Sequence, residues 1–302
     1  MELMESVPMS ARVLLAFKAI IVYLWKMILP LNLIPYYPYP EKVSLMSIEY
    51  FLSFFLFFGI SGACIFFVKK QRVWLSAWVY YFVSLIPVLG IVQVGKQAMA
   101  DRYTYLPSLG PFFIMGLVVA WGLTQARTLA RWGLVVRFLS AFVAIFVFIS
   151  ISYLTFEQIG IWKNSFSLWT YVIEKGPERV PIAYMNRGKA FYKMGQLNKA
   201  LVDYDEAITL KPSDPNYYFN RGLVFAEMGQ FDKAIADYDR AIALDQQGAE
   251  NFVGRAFCFL ARGLAHLAIG QRGPAVSDLK RACELGNDIG CNELQSRFGT
   301  GF

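Results

Sequence analysis

Hydrophobic positions follow two different patterns along this chain, and the change falls near residue 155. Before it, apolar residues form long runs punctuated by short polar stretches. A helix crossing a hydrocarbon layer about 30 Å thick needs about 20 mostly apolar residues at a rise of about 1.5 Å each. Residues 47–68, 73–92, 111–126 with their flanks, and 134–155 meet that test. The third run is short and holds Gly116 and Gly122; the fourth holds Arg137 near its start, where a long side chain reaches the interface. Residues 13–34 are also apolar, but Lys18, Lys26 and Pro30 interrupt them. That segment either spans or lies along the interface, with the Tyr23 and Trp25 rings at headgroup level. A bundle of four or five transmembrane helices is therefore expected over 1–155.

After residue 155 the period becomes that of amphipathic helices, and it repeats. PIAYMNRGKAFYKMGQLNKALVDYDEAITLKPSD over 181–214 is followed in phase by PNYYFNRGLVFAEMGQFDKAIADYDRAIALDQQG over 215–248. The 34-residue period is that of the tetratricopeptide repeat, a pair of helices that buries its apolar face against neighbouring pairs. Gly188 and Gly222 allow close helix crossing, Phe191, Phe225, Tyr204 and Tyr238 fill the space between helices, and Ala200, Ala207, Ala234 and Ala241 let backbones approach. Pro212 stops the second helix of the first copy, and Gln246 replaces it in the next. A third copy, offset by seven residues, matches at Gly263, Gly270, Ala275 and Ala282, with its first helix lengthened backwards through 252–259. Residues 288–298 are expected to cap the stack. Residues 162–174, followed by Pro177, read as a lone helix stacking on its other end, which would give the solenoid a fixed base on the membrane. The fold class is thus all-α: a membrane region over 1–155, a juxtamembrane helix and linker over 156–180, and an α-solenoid of about three repeats with a cap over 181–302.

Charge sharpens the division. The chain is 56% hydrophobic with net charge +7. The first 155 residues hold 12 Lys and Arg against 5 Asp and Glu, and the rest hold 17 against 17. The basicity lies between apolar runs rather than on a polar face, which argues against nucleic acid as a partner. Lys69, Lys70 and Arg72, and then Arg127 and Arg131, mark cytoplasmic loops. The repeats are then expected on the non-cytoplasmic side of a multi-pass membrane protein, with the periplasmic side of a bacterial inner membrane as the setting.

Repeat arrays bind a peptide or helix in the concave groove lined by the first helix of each pair. By phase the groove candidates are Met185, Asn186, Lys189 and Lys193 in one copy and Phe219, Asn220, Leu223 and Glu227 in the next. Asn186 and Asn220 also suit a plainer role, satisfying nearby backbone groups. Arg187 and Arg221 with Asp203, Asp205, Asp237 and Asp239 read as ion pairs within the repeats. The single histidine, His266, falls at the phase of Phe191 and Phe225 and is expected to pack in the core. One histidine and no Cys-x-x-Cys leave no zinc site and no nucleophile triad, and no glycine-rich phosphate loop is present. No cofactor is implied. Cys283 and Cys291 stand where a bridge across a short turn is possible in an oxidising compartment. In the loop 93–110, Lys96, Arg102 and Tyr103 are candidates for gripping a lipid phosphate, or else for anchoring at the interface.

The order of RVLLAFKAIIVYLWKMILPLNLIPYYPYP, apolar runs, ADRYTYLPSLG, two more runs, WKNSFSLW and then the repeats resembles the transmembrane and tetratricopeptide-containing O-mannosyltransferases and their bacterial relatives. The resemblance implies a glycosyltransferase of type C fold using a polyprenyl-phosphate sugar, with Arg102 and Tyr103 as phosphate and headgroup contacts. It also implies a catalytic acidic pair in an earlier outward loop. Residues before Arg12 hold only Glu2 and Glu5, so this chain alone is expected not to transfer sugar. The leading expectation is a membrane-anchored repeat protein that holds another protein or peptide. The alternative is a fragment or subunit of a sugar transferase with a lipid-linked sugar as its further partner.

Overall fold

The computed structural model describes residues 8–30, 33–34, 37, 43, 47–89, 101–128, 133–175, 180–246 and 254–299. It divides into two compact units, Met1–Trp162 and Lys163–Phe302. All its extended elements are helices.

The first unit contains α1 (Met9–Ile28), α2 (Ile48–Phe66), α3 (Arg72–Leu85), α4 (Leu109–Thr128) and α5 (Gly133–Ile161), with short 3-10 turns at Ile86–Val88 and Asp101–Thr104. Its core forms where α1 presents Ala16, Ala19, Ile20 and Tyr23, spaced three or four apart on one face, to Tyr81, Leu85 and Leu89. The buried Tyr81 hydroxyl donates to the Ile20 carbonyl at 2.6 Å, so a polar group in that core is satisfied. The Lys18 ammonium pairs with Glu49 of α2, and Phe17 packs among Phe54, Phe57 and Phe58.

Two helices among the described residues, not four or five, are long and apolar enough to cross a membrane: Ile48–Phe66 and the stretch Phe138–Ile161 of α5. Of the other two apolar runs, the described stretches are Arg72–Val88, which ends in a 3-10 turn containing Pro87, and Leu109–Gly122 within the 20-residue α4. Arg12, Lys18 and Lys26 interrupt α1. By contrast α5 runs six residues past the end at Thr155 read from its hydropathy.

The second unit opens with α6 (Ser165–Lys175), three residues later than the helix read from the sequence. Asn164 starts it, accepting from the Ser167 amide at 2.8 Å. Then follow the pairs α7 (Pro181–Lys193) with α8 (Leu197–Leu210), α9 (Pro215–Glu227) with α10 (Phe231–Gln246), and α11 (Arg255–Ala268) with α12 (Arg272–Glu284). A last helix, α13 (Asp288–Phe298), lies on α12 and buries Leu294 against Leu260, Leu279 and Ala282. At the other end Phe166 of α6 meets Phe191 of α7 edge-on at 5.1 Å.

Each pair turns at a glycine in the left-handed region: Gly195 at φ 71°, Gly229 at 73° and Gly270 at 80°. The residue after it donates back to the same phase of the first helix: Gln196 to Phe191, Gln230 to Phe225 and Gln271 to His266, at 2.9, 2.8 and 2.8 Å. Three identical turns establish three repeats in register. Helix α11 begins at Arg255 with Gly254 at its cap, so the expected backward extension through 252–259 is shortened; residues 247–253 lie outside the described ones. Crossing is tight where the sequence places glycine: a Cβ on Gly188 would sit 2.9 Å from the Tyr204 ring, and one on Gly222 2.7 Å from the Tyr238 ring.

Candidate functional site

An arginine at one phase of each repeat fixes how the pairs stack. Arg187 donates to both oxygens of Asp203 at 2.8 and 2.6 Å, Arg221 to both of Asp237 at 2.8 and 2.7 Å, and Arg262 to both of Asp278 at 2.8 and 2.6 Å. These three carboxylates are buried. Arg221 also reaches back to Asp205 of the preceding pair at 2.7 Å, and Arg262 to Asp239. The expected ion pairs within repeats are therefore joined by pairs between repeats. Each guanidinium lies against the ring four residues after or three before it, as Arg221 does against Tyr218 and Phe225 at 5.7 and 5.8 Å. Hydrogen bonding to these carboxylates raises all three arginines above their ordinary pKa.

The ladder engages the arginines and aspartates between helices and leaves the first-helix face of each pair outside it. There Met185 is half-buried against Ala200, Tyr204 and Val224. Phe219 and Leu223 are half-buried in the cluster around Tyr238 and Ala241. These three apolar candidates thus belong partly to the core and present only one edge. Asn220 donates its amide to the Asn216 carbonyl, the plainer of its two roles; Asn186 is half-buried. Lys189, Lys193 and Glu227 are exposed.

Electrostatics tie these residues across repeats. Desolvation by the surrounding helices, and then the nearby Lys193, lower the Lys189 ammonium below the ordinary lysine value, with Asp214 acting against them. Burial, and then Glu227 of the next repeat, push the Tyr192 phenol up. Among the described residues neither Lys189 nor Lys193 ends in an ion pair, unlike Arg187, Arg221 and Arg262.

Three further residues at first-helix phases escaped the reading of the sequence: Tyr192, Phe257 and Leu264. Phe257 and Leu264 are 51% and 37% exposed, on α11. The signal was available, because Leu264 stands at the phase of Lys189 and Leu223 once the seven-residue offset is added, and Phe257 at that of Ile182 and Asn216.

The remaining candidates are scattered. Cys283 and Cys291 are bridged across the α12–α13 turn, with Cα atoms 4.7 Å apart. Cys258 is free and buried, and its burial raises the thiol. His266 is half-buried; its Nδ1 lies 2.7 Å from Gln271 Oε1 and its Nε2 3.9 Å from Asp278. It is packed at the phase of the two phenylalanines, with polar neighbours they do not have. Lys96 lies outside the described residues, as does the side chain of Arg102, whose backbone is in the Asp101–Thr104 turn. Tyr103 packs against the α1–α3 core.

Comparison with known proteins agrees with this geometry. Residues 188–229 match the family model described as TPR repeat, and residues 215–247 the one described as tetratricopeptide repeat. Tetratricopeptide repeats are present in this chain. Solved structures similar to it include the Arabidopsis OM64 TPR domain, at 27% identity over 39% of this chain and 96% of that one, TM-score 0.35. The N-terminal domain of stress-induced protein-1 from C. elegans is 25% identical over 38% and 92%, TM-score 0.36. The first TPR of Spaghetti bound to an HSP90 peptide is 24% identical over 38% and 88%, TM-score 0.35. No curated protein matches the chain.

Proposed function

We propose that this protein is a membrane-anchored scaffold that holds a segment of another protein in the concave face of its repeats. One observation carries the reading: the face shared by α7, α9 and α11 keeps apolar edges and the Lys189 and Lys193 ammoniums uncovered, while the arginines and aspartates between helices are engaged in the ladder. On that face Phe257 and Leu264 expose apolar surface that a bound segment would cover.

The anchor rests on α5. None of its stretch Phe138–Ile161 is buried, and Phe138, Phe142, Phe146 and Phe156 are all largely exposed. At about 25 cal/mol for each Å² of apolar surface, leaving such a helix in water is costly, and lipid removes that cost. With Ile48–Phe66 as the second span, residues 67–137 form the intervening segment. Their cations, from Lys69 and Lys70 to Arg131, outnumber the lone Asp101. Two spans and four spans lead to one orientation, with the repeats outside. The Cys283–Cys291 bridge supports an oxidising surrounding. The resemblance to O-mannosyltransferases gains nothing from the family matches, which fall on the repeats alone, so sugar transfer stays the lesser reading.

A photoreactive side chain placed at Leu223 or Leu264 should cross-link a partner in membranes, and one at the exposed Val202 on α8 should not. Equal yields from all three positions would refute the groove. Topology is read by Val202→Cys together with Cys64→Ser, since Cys283 and Cys291 are bridged and Cys258 is buried. Labelling of intact cells by a membrane-impermeant maleimide is expected, and labelling only after lysis would place the repeats inside.

A further inference from the structure

Charge is unevenly divided along the repeat half, and the positive end is the one that follows the anchor. Residues 163–199 hold seven Lys and Arg against two Asp and Glu, whereas residues 201–246 hold four against nine. Part of that positive charge collects at one edge. Phe166, near the start of α6, meets Phe191, near the end of α7, with ring centroids 5.1 Å apart. The start of α6 thus lies beside the end of α7 and the turn into α8. Lys199, in the first turn of α8, holds its ammonium 5.5 Å from the centre of the same Phe191 ring. Lys193 closes α7, and Lys163 stands two residues before α6. Lys163, Lys193 and Lys199 are exposed, and among the described residues none of them ends in an ion pair, unlike Arg187, which Asp203 holds at 2.6 Å. Phe166 and Met194 add apolar surface to this edge, at 37% and 48% exposure.

Covalent continuity says what this edge is near. Helix α5 has 29 residues, about 43 Å at about 1.5 Å each, and a bilayer with its headgroups is about 40–45 Å thick. A span of that length ends at Ile161 in the headgroup layer, and Lys163 follows it by two residues, at most about 7 Å of chain. Resting on the reading of α5 as a membrane span, we propose that the edge formed by α6 and the α7–α8 turn docks on anionic phospholipid headgroups of the bilayer that α5 crosses. The three ammoniums pair with headgroup phosphates, and Phe166 and Met194 enter the interfacial layer among them. A lysine beside an anionic surface is worth about fivefold in such an equilibrium, so three give about a hundredfold. The acidic stretch that follows, with exposed Asp205 and Asp239, is repelled by the same surface, which confines the contact to the first hairpin.

The test uses the full chain in nanodiscs of phosphatidylcholine, alone or doped with phosphatidylglycerol, in a Cys64→Ser background. A nitroxide at Met194→Cys reads the edge and one at the exposed Ser277→Cys reads the last hairpin, each by its collision rate with a water-soluble nickel chelate. The Met194 label is expected to lose at least about threefold in that rate when the lipid becomes anionic and to regain it in high salt, with the Ser277 label unchanged. Lys163→Gln with Lys193→Gln and Lys199→Gln should abolish the difference. All three lysines are exposed, and slow amide exchange in α6, α7 and α8 checks that the variant keeps its fold. Equal rates at Met194 in the two lipids overturn the proposal, as does a lipid-dependent loss that the triple variant keeps or the Ser277 label shares. A chain that leaves the bilayer on alkaline washing removes α5 as a span and takes this proposal with it. A chain that stays but shows no lipid dependence loses only the docking, and the anchor stands.

Discussion

Arg221 holds two carboxylates that differ in one respect, and the difference gives a sharp expectation. It donates to Asp237 within its own repeat at 2.8 and 2.7 Å and to Asp205 of the preceding repeat at 2.7 Å. The Asp237 side chain is 8% exposed and that of Asp205 is 59% exposed. Arg221→Met keeps the aliphatic bulk between Tyr218 and Phe225 but strands a buried carboxylate, since Arg221 is its one ion-pair partner among the described residues. Breaking a buried pair in this way costs about 3–5 kcal/mol. Removing Asp205 deletes a solvated partner, worth about 0–1 kcal/mol.

Hydrogen exchange resolves these effects helix by helix, which suits a stack where each unit touches its neighbours alone. Slow amides of α9 and α10 in Arg221→Met should lose protection about a hundredfold to a few thousandfold, at about 1.4 kcal/mol for each factor of ten. Asp205→Ala should change them by less than about fivefold. Adding Asp237→Asn to Arg221→Met should restore part of the loss, because the stranded charge is gone. Equal small shifts from Arg221→Met and Asp205→Ala would show that the buried limb of the ladder contributes nothing beyond a surface pair, and the account of repeat stacking would fail.

Further expectations concern packing, the cap and the groove. Gly222→Ala should lower thermal stability by about 1–2 kcal/mol, since overpacking against the fully buried Tyr238 ring outweighs a helix-propensity gain of about 1 kcal/mol; Gly188→Ala, with a longer approach, should cost less in the same melt. Cys283→Ser with Cys291→Ser opens a short loop and should destabilise α12 and α13 by about 2–3 kcal/mol in exchange experiments, with α7 and α8 unaffected. The lowered Lys189 pKa means that the unfolded chain binds more protons in the window between the folded value and the ordinary lysine value. Lys189 alone therefore contributes stability that grows as pH climbs through that window, while the raised Tyr192 phenol and Cys258 thiol make total stability fall there, so the stability of the native chain relative to Lys189→Met should rise with pH in chemical denaturation. Glu227→Gln should bring the Tyr192 phenol down toward its ordinary value in a spectroscopic titration; no change would separate those residues and dissolve the link across repeats.

What could be read from residues alone divides along physical lines. The repeat half was legible because its constraint is periodic: glycine at the crossing, an aromatic ring against it and glycine at the turn recur every 34 residues, so two copies predict a third. The ion pairs within repeats followed from the same periodicity. The pairs between repeats were not proposed, since Asp205 and Asp239 are exposed acids whose partner depends on how neighbouring hairpins lean. Phe257 and Leu264 were missed although the offset of the third copy was read, because the groove phases were carried through the first two copies alone. The membrane half was less legible because hydropathy gauges apolar length and not where a helix begins or ends: α5 runs to Ile161, past the end of its apolar core at Thr155, and α3 gives way to a 3-10 turn at Pro87.

The offset itself shows which interaction sets the stack. Arg221 reaches Asp205 across 16 residues, whereas Arg262 reaches Asp239 across 23, the difference being the seven extra residues between the second and third copies. If spacing along the chain governed stacking, an insertion of that size would move α11 by about two helical turns and put another residue opposite Asp239. It does not, because the added residues precede Gly254, where α11 begins, and the helix resumes at the phase that returns Arg262 to Asp278 and Asp239 together. A connecting loop tolerates added length at an entropic cost that grows only with the logarithm of its length, well under that of a stranded buried carboxylate. The groove face is carried along by the same register: fixing Arg262 also fixes Leu264 two residues on, which places an apolar side chain at the phase where the first repeat has Lys189. Register and the make-up of this face therefore have one cause, and Arg262→Met should lower the yield of cross-linking from Leu264 without touching that residue.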